Sequence, residues 1–416
     1  MRRALLAALL LPLSGAAFGQ EAVDPCAGRI ADKLPHPMRA VPKPGPGESY
    51  RDPAFGTRVT RITAASPGDG ENAVVKPMYS TMPAWNADES LLLLWHRGKG
   101  HELYEGDAPY RLLRTLALRS PTDIEQVLWD PRDPSLLYYP SNYNAEPLLI
   151  EHRVGMREDS WRVLHDFRKP PTSCPADWGK LLRLGSDPQW MSWGLRRLVG
   201  LQCGETKFLY SIGERAVVAV SRSPGANAPV AAPSERLAVL DGQVLDLALK
   251  PVRRLPMANP WEHASLGRSA KGYDVWSAVA FDDAQPGALV THRLDTGARR
   301  VVIGPATGYP YPPSTTHLSA VARKAPGWVA LGMVGAHTGR AVLDNEIVLA
   351  NVDTGGVCRV AHARTFAGST SEGRWGYWSE THVVISPSAT RVLFASDWMN
   401  GPSVDTYVVD LRERPR

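Results

Sequence analysis

The sequence predicts an all-β chain folded as a seven-bladed β-propeller, closed by pairing an N-terminal strand with the last blade. Three observations predict it. Short apolar strands and turns recur along most of the chain. Glycine and proline number 36 each, too many for long helices and suited to many turns. The two ends of the repeat region also look like complementary parts of one blade.

Arg2 and Arg3 precede an apolar run over residues 4–13, followed by Ser14, Gly15, Ala16, Ala17 and Gly19. That run is too short to span a bilayer, and Ala17-Phe18-Gly19 fits a small-x-small cleavage site. Residues 1–19 therefore read as a signal peptide, and the mature protein as exported, either periplasmic or secreted. No later stretch is long and apolar enough for a membrane span. Residues 20–54 are Pro-rich (PHPMRAVPKPGPGE) and read as an extended lead-in to a propeller over 55–416.

Blade one carries MPAWNADESLLLLWH, with its turn at Asn86-Ala87-Asp88, and blade two repeats the pattern in QVLWDPRDPSLLYYP. Blade three reads as SDPQWMSWGLRRLVGLQC followed by KFLYSIG, and blade four as AVVAVSR followed by RLAVLDGQVLDLAL. Blades five and six each hold a hairpin ending in Asp-Thr-Gly, in ALVTHRLDTG and EIVLANVDTGG. Blade seven holds HVVISPSATRVLFASD. Residues 55–63 (FGTRVTRIT) look like an outermost strand with no inner strands before it, and residues 406–411 (TYVVDL) like a third strand with no fourth after it. Pairing the two removes the open sheet edges that a solenoid would leave.

The formal charge of +5 includes Arg2 and Arg3, and there is no Lys/Arg run of the kind that tracks phosphates, so nucleic acid is not an expected partner. Cys26, Cys174, Cys203 and Cys358 allow three pairings. Cys174–Cys203 is the local choice, contributing about 3–4 kcal/mol in the loop-entropy model. Cys26–Cys358 would then tie the lead-in to a late blade. No CxxC, G-x-S-x-G, G-x-G-x-x-G or HExxH motif is present.

Three histidines begin the expected innermost strands of three successive blades: His263 (EHASLGR), His317 (THLSAVAR) and His382 (ETHVVISP). Innermost strands line the central channel, so these positions converge near its mouth. Glu380 lies two residues before His382, and on one strand both side chains would share a face. Imidazole with carboxylate suits a divalent metal such as Mn²⁺ or Zn²⁺. The plainer alternative is a ring of solvated structural histidines. His96 and His101 read as outer-loop residues of blade one.

The hairpin SPSATRVLFASD resembles those of TolB-type, WD40-like propellers. The late blades, through His317, His382 and the segment Phe394-Ala395-Ser396-Asp397, resemble the oligogalacturonate lyase family, bacterial seven-bladed propellers with a histidine-held metal at the channel mouth. The resemblance implies His317 and His382 as metal ligands; a second family His falls on Glu380 and a family Gln on Tyr377. It implies β-elimination from an oligo-uronide, with a metal and an arginine such as Arg268 or Arg374 neutralising the sugar carboxylate. Tyr79, Tyr311 and His96 are the residues read as near the channel and able to serve as base. Trp261, Tyr309, Tyr311, Trp375 and Trp378 are offered as stacking platforms for sugar rings, against ordinary blade packing. The competing function is a non-catalytic TolB-like scaffold that binds a protein or an envelope polymer.

Overall fold

A computed structural model describes residues 24–185, 192–257, 259, 263–282, 287–310, 317–366 and 373–415. Residues 1–19, read from the sequence as a signal peptide, residues 186–191 of the blade-three reading, Trp261 and Tyr311 lie outside the described residues. Seven antiparallel sheets form the seven blades. In blade one the strands run outward as Val75–Lys76, Leu91–His96, Gly100–Glu105 and Leu112–Thr115. Blade six runs His317–Ser319, Trp328–Met333, Glu346–Asn351 and Val357–His362. The second strands read as continuous apolar runs (LLLLWH, WVALGM, RVLFAS) because neighbouring blades cover both of their faces. Outer strands such as Leu112–Thr115 are largely exposed. Both Asp-Thr-Gly hairpins form, and each places its glycine at positive φ (Gly297 +76°, Gly355 +80°), where a Cβ would be strained.

Closure follows the expected pairing. Arg58–Arg61 lies against Asp405–Asp410, with Val59 opposite Val409 and Thr60 opposite Val408. The sheet order in blade seven is Val384–Ile385, Arg391–Ser396, Asp405–Asp410, Arg58–Arg61 and then Ser49–Arg51. That fifth strand falls in the segment read as an extended lead-in. Gly47 N–H donates to the Arg61 carbonyl, folding the segment back so that Ser49 pairs with Thr60.

The boundary between blades three and four differs from the sequence reading by one strand. AVVAVSR (Ala216–Arg222) is the outer strand of blade three, paired with Thr206–Ser211. Blade four starts only at Val230–Ala231, a two-residue strand between Pro229 and Pro233, too short to register as a repeat start.

The lead-in is a strap over blades six and seven. The Cys26–Cys358 disulfide fixes its start, and Cys174–Cys203 forms as the local pair. Trp398 donates from its indole to the Val41 carbonyl, and Arg359 donates to the Leu34 carbonyl while gripping Glu346 with two 2.6 Å bonds. An Ile30–Arg359 bridge caps the outer edge of blade six, which would otherwise be open to pairing. Among the described residues no helix is long and apolar enough to cross a membrane.

At the seam between blades one and seven, Arg391 donates to Glu89 at 2.6 Å and to the Gly106 carbonyl, and Ser388 donates to Glu89 at 2.8 Å. Both charges are buried. Arg391→Ala is expected to lower stability by about 2–4 kcal/mol in urea denaturation, because Glu89 is left in the interior with only the more distant, partly exposed Lys324 at 3.5 Å. Replacing the pair together, Glu89→Met with Arg391→Met, is expected to cost much less. Equal losses for the two variants would refute a seam organised by charge.

Candidate metal centre

Each innermost strand starts at the same end of the ring, so residues just before those strands crowd one channel mouth. His317 opens its strand in blade six, and His263 and His382 directly precede Ala264–Arg268 and Val384–Ile385. The opposite end narrows to a gap of about 20 Å³ among Trp85, Trp129, Trp193 and Arg323.

The three imidazoles stand in a row. His263 stacks on His317 with centroids 4.5 Å apart, and His317 lies 4.4 Å from His382. The donor atoms of His317, Glu380 and His382 all lie within 4.8 Å of one another. The closest approach of His317 Nε2 to Glu380 Oε2 is 3.6 Å. His263 stacks beside this trio. Glu380 and His382 do not share a strand, as the sequence reading had it: Glu380 ends a 3₁₀ turn over Gly376–Ser379, and the strand starts only at Val384. They meet because His382 adopts φ +38°, in the left-handed region, which turns the chain between them.

Both His317 and His382 are fully buried. Burial pushes each imidazole well below its ordinary pKa, and neighbouring His and Lys76 groups push in the same direction, so both are neutral. His382 Nε2 faces the Tyr377 carbonyl at 3.2 Å. Both ring nitrogens of His317 and Nδ1 of His382 have no hydrogen-bond partner among the described residues. Buried ring nitrogens without a partner are uncommon, and each neutral imidazole offers one lone pair as a ligand. Two neutral imidazoles and a carboxylate are also a donor set suited to a divalent transition metal.

Two functional-site residues went unnoticed in the sequence. Lys76, fully buried on the inner strand of blade one, donates to the carbonyls of Pro77 (3.2 Å) and Met78 (2.7 Å) and reaches Glu125 at 3.5 Å. Burial pulls its pKa down to about 8, opposed by Glu125 and Glu380. Glu125 also accepts from the Tyr377 hydroxyl at 2.5 Å. Burial likewise pushes the Glu380 carboxyl up to about 7, against the pull of Lys76. The only sequence signal was a lysine inside an apolar strand start, AVVKPM. Between Lys76 and Trp85 the inner strand is interrupted by a loop, and that loop carries Tyr79 inward. The Tyr79 ring lies 5.4 Å from His317 and 5.7 Å from His382.

The other sequence candidates are dispersed. Arg268 ends its strand five residues beyond His263, roughly 16 Å along the channel at 3.3 Å per residue, and donates to the Gly272 carbonyl. Arg374 is exposed on the mouth loop with its guanidinium 5.8 Å from the Trp375 ring centroid. His96 and His101 are not outer-loop residues. His96 is buried at the end of Leu91–His96, bonded to Glu102 at 2.7 Å, and His101 faces the Ile124 carbonyl. Tyr309 and Trp375 are buried packing residues, with Lys33 of the strap over Tyr309. Trp378 stacks on Trp95 at 5.1 Å, whereas Tyr377 is 40% exposed beside His382.

Comparison with known proteins gives a fold likeness. No protein-family model matches the chain, and no curated protein matches it. An oligogalacturonate lyase from Vibrio parahaemolyticus superposes with a TM-score of 0.58 at 12% identity, over 89% of this chain and 97% of that one. An oligogalacturonate lyase in complex with manganese superposes with a TM-score of 0.55 at 16% identity, over 88% and 96%. The chain shares their seven-bladed fold.

Lys76→Met is expected to destabilise the protein by about 1–3 kcal/mol in chemical denaturation, since the Pro77 and Met78 carbonyls and Glu125 lose a buried donor. It should also speed proteolysis within residues 77–84. A variant with unchanged stability and cleavage would show that Lys76 does not anchor this loop.

Proposed function

We propose that the chain is an exported, metal-dependent lyase that cleaves acidic oligosaccharides by β-elimination at the channel mouth. The observation that carries this reading is the buried His317–Glu380–His382 donor set with its three unpartnered ring nitrogens. Fold likeness to a lyase in complex with manganese supports it. The two disulfides and the N-terminal Arg2-Arg3 plus apolar run support export, to a periplasm or the medium, with residues 1–19 removed.

His317, Glu380 and His382 would hold a divalent ion, Mn²⁺ or Zn²⁺. When bound, that ion supplies positive charge against the substrate carboxylate and so acidifies the adjacent C–H. Tyr79, set against both histidine rings, is the group assigned to take that proton, acting as the phenolate, a form that a cation held beside it would favour. The C–O bond to the 4-linked sugar then breaks, leaving an unsaturated uronate, and the departing oxygen is protonated by water at the mouth. Lys76 holds the two carbonyls just before Tyr79 and acts as a positioning residue. Tyr377, half open to solvent and beside His382, offers a sugar ring an edge at the entrance.

Metal analysis of the purified protein, paired with uronate polymers followed by the absorbance of unsaturated product, tests this. His317→Ala and His382→Ala are each expected to lose bound metal and on the order of 100-fold or more in activity. A wild-type protein that binds no metal and releases no unsaturated product from any uronate would overturn the reading. Binding of an envelope polymer without turnover would instead favour the non-catalytic scaffold.

Metal affinity should also depend on pH. The Glu380 carboxyl is protonated below about 7 and must ionise to bind an ion, while both imidazoles are already neutral. The apparent Mn²⁺ affinity is therefore expected to rise about tenfold per pH unit up to pH 7, with release of one proton, and then level off. Calorimetry in buffers of different ionisation enthalpy counts that proton. Equal affinities at pH 5.5 and 7.5 would contradict the assignment of Glu380 as a ligand.

A further inference from the structure

A second cleft opens at the same end of the ring, between blades two and three, with a volume of about 280 Å³. Its walls include Asp123, Gln126, Trp178, Lys180, Arg183 and Gln202. These residues sit just before the innermost strands of blades two and three or at the tip of a hairpin beside them. They therefore share the mouth with the histidines. Trp178 is 70% exposed. Its indole, carried on a loop, offers a flat face on the cleft wall on which a sugar ring can stack.

The loop is rigid by construction. Cys174 is bonded to Cys203, and Asp177 accepts from the Gly179 N–H at 2.8 Å. Asn142 accepts from the Leu182 N–H, Thr122 donates to the Leu182 carbonyl, and Gln126 accepts from the Leu184 N–H. Arg183 and Gln202 exchange both backbone bonds. Lys180 and Arg183 are exposed, and neither forms an ion pair with a carboxylate among the described residues; Arg183 donates to the Ala226 carbonyl at 3.3 Å. Among the described residues Asp123 is the one acid on this wall, so those residues carry a net positive charge. An indole on a tethered loop, beside two cations with no carboxylate partner among the described residues, matches a pyranose ring that bears a carboxylate. The chain that lines the cleft continues to the channel-mouth centre: two residues after Asp123, Glu125 bonds to Tyr377 and Lys76.

We infer that this cleft is a distal subsite for a uronate residue, with Trp178 stacking on the sugar ring and Lys180 and Arg183 taking its carboxylate. It rests on the uronide reading above and extends it: the substrate is an oligomer lying across blades one to three, with the bond to be broken at the histidine centre.

Calorimetric titration of the manganese-loaded protein with galacturonate di-, tri- and tetramers tests the subsite. The wild type is expected to bind the longer oligomers more tightly than the dimer. Trp178→Ala and the double variant Lys180→Met, Arg183→Met are each expected to weaken the tetramer about tenfold while leaving dimer and Mn²⁺ affinities unchanged. Neutral galactose tetramers should lose the contribution of the two cations. If the wild type binds these oligomers and the variants bind every length equally well, the subsite is wrong and the lyase reading stands. If the wild type binds no uronate of any length, both fall.

Discussion

The pairing of Arg58–Arg61 with Asp405–Asp410 is the constraint on which everything else depends. It joins the two ends of the repeat region and brings blade one against blade seven. The buried Glu89–Arg391 pair and the Thr406 hydroxyl, which donates to the Val75 carbonyl, lock that seam from both sides. The seam also runs through the centre itself. His382 and Glu380 come from blade seven, His317 from blade six, and Lys76 and Tyr79 from blade one. An open array of the same repeats would split this cluster into halves with no common pocket. Closure therefore does more than remove sheet edges.

The closed ring was legible in the sequence because it rests on patterns that each strand carries locally. Apolar runs bounded by turns, the Asp-Thr-Gly hairpins and the complementary terminal strands needed no tertiary information. Blade four was misread where the local signal fails: Val230–Ala231 is a strand only because its neighbours make it one. The register of His317 and His382 was legible for the same reason as the ring, since each lies at the start of an inner strand. Lys76 was not. Its role comes from two carbonyls next to it in sequence and from a carboxylate, Glu125, that belongs to the loop before blade two. The approach of Glu380 to His382 was inferred for the wrong reason, strand alternation; a left-handed residue achieves it instead.

The charge balance of the centre links the departure at Glu380 to the presence of Lys76. The resemblance to the lyase family puts a neutral imidazole at position 380, where this chain has a carboxylate. A buried carboxylate is costly without a compensating cation, and a second one, Glu125, stands nearby. Lys76 supplies one positive charge to the two acids, and burial pulls its pKa down and theirs up. With all three ionised the cluster is one charge negative, and its imidazoles hold lone pairs aimed at no proton. A bound divalent cation would reverse that sign and take one lone pair from each imidazole. The centre would then present net positive charge at a mouth whose neighbouring cleft carries Lys180 and Arg183, a field that would favour an anionic chain over a neutral one.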